Sequence, residues 1–82
     1  MEIAVQISLY PLRQTKLSPA IDSAIEVLRK QGLDVRPGVM STLVIGQDDA
    51  VFEALKEIFL TVGEKSELVM VATCSNACPV CD

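Results

Sequence analysis

The chain contains no histidine, so the side chain that most often serves as general acid, general base or metal ligand is missing. It also lacks a glycine-rich phosphate loop, a carboxylate pair in an apolar context, and a Ser or Thr nucleophile beside a recognisable base. Acid–base and covalent catalysis have no visible actors, and the expectation is a protein that is not an enzyme. Basic residues are few: seven Lys and Arg against eleven Asp and Glu leave a formal net charge of −4. A surface that tracks phosphates needs the opposite balance, which argues against a nucleic-acid partner. No run of eighteen or more apolar residues occurs, so no direct membrane insertion is expected. The N-terminus shows neither a basic leader nor a small-residue cleavage site, and the expected location is cytoplasmic.

Cysteine is also scarce. Three thiols are an odd number, and a reducing compartment disfavours a disulfide framework. Cys74, Cys78 and Cys81 are spaced C-x3-C-x2-C with Asp82 behind them, and thiolates at such spacing can close around one ion. Without histidine, however, a zinc site is short of a good fourth ligand. The preferred expectation is no metal and no cofactor, with Cys74 a small buried hydrophobe at a strand end and Cys81 an incidental thiol in the tail. A cysteine-dependent metal or redox protein is the alternative.

What is present points to one small domain over residues 1–82, half hydrophobic and 22% charged. A domain of this size buries only about 60% of its unfolded-chain surface alone. Glu2 to Tyr10 alternates, with Ile3, Val5, Ile7 and Leu9 on one face and Ala4, Gln6, Ser8 and Tyr10 on the other, as expected of strand 1. Pro11 ends it, and Ser18-Pro19 opens helix 1 with a capping serine and a proline where no donor is missed. Leu17, Ile21, Ala24, Ile25 and Leu28 form its apolar stripe, and Gly32 is its left-handed stop.

Leu33 to Arg36 reads as an edge strand, followed by the turn signal Pro37-Gly38 and a hairpin into strand 3, Val39 to Gly46. If Leu43 and Ile45 face the helices, Thr42, Val44 and Met40 face the opposite side. Gln47-Asp48-Asp49 caps helix 2, whose stripe is Val51, Phe52, Leu55, Ile58, Phe59 and Val62 and whose stop is Gly63. Leu68 to Thr73 is a fourth strand, apolar on both faces and therefore expected to be covered on both.

The order strand, helix, strand, strand, helix, strand predicts an α+β, ferredoxin-like βαββαβ sandwich. Its antiparallel sheet runs 4-1-3-2, and right-handed crossovers put both helices on one face. The other face is bare in a monomer, which predicts a second subunit over it, burying about 800 Å² per partner. Ser8, Tyr10 and Thr42 are expected to converge on that open face, a mostly apolar site with a few placed polar groups.

Four segments, Ile7-Ser8-Leu9-Tyr10-Pro11-Leu12, Met40-Ser41-Thr42-Leu43-Val44 with Gly46, Val51-Phe52-Glu53-Ala54-Leu55 and Thr73-Cys74-Ser75-Asn76-Ala77-Cys78-Pro79, together resemble the thiamine- and hydroxymethylpyrimidine-binding YkoF-like family. The resemblance spans nearly the whole chain. It implies a ferredoxin-like domain, assembly through sheets, and binding of the pyrimidine part of thiamine for salvage or transport. It carries ligand contacts onto Ser8 and Thr42 and onto Ser75, Asn76 and Cys78 at the exit of strand 4, with Tyr10, Met40 and Ser41 beside them. Some members carry two such domains in tandem, so the resemblance implies that a homodimer or homotetramer supplies the equivalent pairing here. A ligand-sensing regulatory domain of the same fold is a further alternative.

Overall fold

A computed structural model describes residues 1–13 and 18–77. Leu17, Cys78 and Cys81 lie outside the described residues, as does the side chain of Ser18. The elements are β1 (Glu2–Pro11), α1 (Ser18–Lys30), β2 (Asp34–Pro37), β3 (Thr42–Gln47), α2 (Asp48–Gly63) and β4 (Leu68–Ser75). All four strands join one antiparallel sheet in the order β2-β3-β1-β4. This is the expected ferredoxin-like sandwich, read from the opposite edge. Among the described residues no helix is long and apolar enough to cross a membrane.

The core lies between one sheet face and the two helices. Ile3, Val5 and Ile7 of β1 and Val44 of β3 pack against Ala24, Val27 and Leu28 of α1 and against Val51, Ala54, Leu55, Ile58 and Val62 of α2. Helix α1 ends as its glycine demands. Gly32 adopts a φ of 73°, its N–H donates to the Arg29 carbonyl at 3.1 Å, and the Leu33 N–H reaches back to the Leu28 carbonyl at 3.4 Å. These two bonds form a Schellman stop, and it drops Leu33 onto the core.

Helix α2 departs from expectation at both ends. Its N-cap, Gln47, makes no side-chain capping bond; its Oε1 accepts instead from the Met1 ammonium at 3.1 Å. The same ammonium donates to Asp48 Oδ1 at 3.1 Å, and that hydrogen bond lowers the Asp48 pKa below its ordinary value. At the other end Gly63 stays helical and the cap is Glu64, in a right-handed conformation, so Gly63 is not a left-handed stop. The buried stripe uses Ala54 where Phe52 and Phe59 were expected, and both rings are about half exposed. Phe52 and Phe59 each follow a buried residue by one position, a step of about 100° around the helix that carries them off the core-facing line.

Strand β3 differs most. It starts at Thr42, because residues 38–41 make the connection that turns β2 into β3, closed by the Gly38 N–H donating to the Ser41 carbonyl at 2.8 Å. Its faces are also inverted relative to expectation. Val5 lies opposite Val44 and Ile7 opposite Thr42, so Thr42 and Val44 face the helices, while Leu43 and Ile45 share the open face with Gln6 and Ala4. The cause is Gly46. A Cβ there would lie 2.4 Å from Leu33 Cδ2 and 3.5 Å from Val51 Cγ2, so this position and its face must meet the helix side. On β4, Val69 and Val71 are about half exposed in the single chain.

The Gly46 contact sets a prediction. Gly46→Val forces β-branched bulk against Leu33 and Val51 and should lower stability by about 1–3 kcal/mol, read as a fall in urea midpoint. Gly46→Ala should cost less, because the tip of Leu33 can swing away. Adding Leu33→Ala to Gly46→Val should recover part of the loss in a double-mutant cycle, whereas strictly additive effects would show that the two positions do not press on each other.

Candidate functional site

Strand β1 outruns its neighbour. It pairs with β4 from Ala4 to Pro11, but its pairing with β3 stops where Ile7 meets Thr42. Beyond that point the chain of the β2–β3 connection turns away, leaving a notch beside the last residues of β1. Helix α1 passes over the notch, and a cavity of about 310 Å³ opens between them. This is the lower end of the size range of small-molecule sites.

The walls come from three places. Ile7 to Tyr10 supply the floor, Ile21, Ala24, Ile25 and Leu28 of α1 the roof, and Pro37 to Thr42 one side. Leu28 is fully buried, while Ile21 and Ile25 are partly open at the mouth. Among the described residues that line it there is no Asp, Glu, Lys or Arg. The described walls thus offer mainly apolar contact, with the polar side chains of Ser8, Tyr10, Ser41 and Thr42 among the lining residues.

The loop wall is held in place by two bonds through one residue. The Ser41 carbonyl closes the connection with Gly38, and Ser41 Oγ accepts from Gln6 Nε2 at 3.0 Å across the open face. Gly38 is needed for this turn, since a Cβ there would sit 2.9 Å from the Ser41 carbonyl oxygen. Between them Val39 and Met40 are almost wholly exposed.

The structure brings five of the expected site residues to this cavity: Ser8, Tyr10, Met40, Ser41 and Thr42. It does not bring them to one sheet face. Thr42 lies opposite Ile7, on the helix side, whereas alternation turns the side chains of Ser8 and Tyr10 to the open face. The expectation that the Ser8 and Thr42 hydroxyls converge on the open face is thus corrected by the register. Ser75 and Asn76 sit elsewhere. Ser75 pairs with Ala4, five residues along β1 from Leu9, or about 17 Å at the rise of a strand. Ser75 Oγ accepts from the Ala77 N–H at 3.1 Å, and Asn76 Nδ2 lies 3.9 Å from Met1 Sδ. Cys78 lies outside the described residues.

Cys74 is exposed on β4 and is not the buried hydrophobe expected; among the described residues no cluster of three or more His, Cys, Asp and Glu is placed to hold a metal ion. The residues missed in the sequence are the apolar walls, chiefly Ile21 and Ile25. They stand one turn apart on α1 and read as core positions, and only their partial exposure shows that they roof a cavity.

The fold is shared with solved structures. Hypothetical protein MJ1052 from Methanocaldococcus jannascii is 27% identical over 92% of this chain and 79% of its own, with a TM-score of 0.85. Protein SP2199 from Streptococcus pneumoniae is 21% identical, over 92% of this chain and 86% of its own, at a TM-score of 0.83. A candidate thiamine biosynthesis/salvage protein, TM0486 from Thermotoga maritima, is 22% identical, over 92% and 83%, at a TM-score of 0.80. No curated protein matches the chain. The model of the YKOF-related family matches residues 2–81, from the first residue of β1 through all six elements. The chain belongs to the YKOF-related family.

Proposed function

We propose that the chain is a non-catalytic binding protein for thiamine or its hydroxymethylpyrimidine moiety, acting in thiamine salvage or transport, and that the pyrimidine ring enters the cavity under α1. The observation that carries this reading is the cavity itself: about 310 Å³, walled mostly by apolar side chains, with no charged residue among the described ones that line it and with Thr42 at its edge, in a chain of the YKOF-related family. The similarity to the Thermotoga maritima candidate salvage protein supports the thiamine direction. An aminopyrimidine is flat and neutral at physiological pH, with ring-nitrogen acceptors and an amino donor, and a hydroxyl can meet either need.

The proposal includes a homodimer or homotetramer built through the open sheet face. Its support is the exposure of Tyr10, Val69 and Val71, which the register sets side by side. A contiguous apolar face of this kind marks an interaction surface.

Two measurements test these readings. By calorimetry with thiamine and with hydroxymethylpyrimidine, Thr42→Val should weaken binding by roughly 5- to 150-fold, the loss of one buried hydrogen bond worth about 1–3 kcal/mol. Ser8→Ala should leave affinity unchanged, since its hydroxyl lies on the far side of the sheet. The reverse pattern would put the ligand on the open face and overturn the cavity. By light scattering at micromolar concentration the protein should be a dimer or larger, and Val71→Lys should shift it toward monomer. A parent protein that is already monomeric would contradict assembly through the open face.

A further inference from the structure

The hydrogen bonding of β1 carries a consequence for what the cavity recognises. In an antiparallel ladder the residues that exchange both main-chain bonds with a neighbour alternate with residues that turn the other way. Two bonds fix the phase here. The Asp48 N–H donates to the Met1 carbonyl at 2.9 Å on the β3 side, and the Leu12 N–H donates to the Glu67 carbonyl at 2.8 Å on the β4 side. Both continue the registers of their ladders. Odd-numbered residues of β1 therefore bond toward β3 and even-numbered ones toward β4.

Ile3, Val5 and Ile7 find their partners in Gly46, Val44 and Thr42. The next residue in that series is Leu9, whose partner in register would be Met40. The ladder ends at Thr42, and Met40 lies in the exposed connection instead. The N–H and C=O of Leu9 thus point into the notch, side by side, within the stretch that floors the cavity. A donor and an acceptor are presented together there in an apolar setting, where an unpaired main-chain group is costly and a matched one is favoured.

We propose that this missing rung is the reading edge of the site: Leu9 N–H donates to a ring nitrogen and Leu9 C=O accepts from the adjacent exocyclic amino group of an aminopyrimidine. The ligand takes the place that Met40 would hold in a longer β3. The adjacent ring nitrogen and amino group of such a heterocycle form an acceptor–donor pair complementary to the donor–acceptor pair of one extended residue. The Thr42 hydroxyl, at the end of the broken ladder, borders the same space. Recognition by main chain explains how a site can be selective although its lining side chains are almost all apolar. The inference rests on the function proposed above, and names its recognition element.

The test is amide hydrogen exchange by NMR on the full chain, free and with hydroxymethylpyrimidine at a concentration shown by calorimetry to saturate. In the free protein the Leu9 amide should exchange at least roughly tenfold faster than those of Ile7 and Tyr10, which are paired to β3 and β4. Ligand should slow Leu9 by roughly tenfold or more while leaving Tyr10 unchanged. An analogue with the amino group replaced by methyl should bind at least about tenfold more weakly. If the pyrimidine binds but Leu9 exchanges as before, the reading edge is wrong and the functional proposal stands. If no binding is seen at all, both fall.

Discussion

Val5 and Val44 lie side by side with no exposed surface, and the register they set decides where every other part of the sheet can go. It turns Gly46 toward Leu33 and Val51, the approach that only a residue without a Cβ permits. It turns Thr42 toward the helices and Leu43 and Ile45 away from them. Because side chains alternate with period two, a slip of one residue would exchange all of these at once and bring Ile45 into the space that Gly46 leaves for Leu33. The steric fit at one glycine therefore holds the two faces of the sheet in their places.

The same register creates the site. Strand β1 has ten residues and β3 six, so once Val5 and Val44 are paired the longer strand must project past the shorter one. Gly38 and Ser41 close the connection tightly, and the notch is left for α1 to roof. The cavity arises from a difference in strand length at a hairpin and requires no charged or catalytic side chain. That character suits the proposed retention of a neutral ring, for which a hydroxyl and main-chain groups would be the polar partners.

Much of this was legible in the chain. The element order, the sheet order, the edge position of β2 and the left-handed glycine at the end of α1 each followed from a local signal: period-two alternation, Pro37 before Gly38, or Gly32 after a basic last turn. The faces of β3 were not legible from hydrophobicity, because Leu43 and Ile45 on one side and Val44 on the other are all apolar. The signal was Gly46, a glycine within a strand, which marks a close approach and so the helix side. Phe52 and Phe59 show that bulk is not burial: both are about half exposed, while the small Ala54 occupies the core-facing position. The cavity lay beyond sequence reading altogether, since it depends on where a ladder stops, and no residue type announces that.

The most direct test of the account is a crystal structure of the protein with hydroxymethylpyrimidine. The ring is expected beneath α1, beside Thr42, with its amino group and neighbouring nitrogen at hydrogen-bond distance from the carbonyl and N–H of Leu9. A ring lying on the open face, between the sheets of two subunits and against the hydroxyl of Ser8, would contradict it.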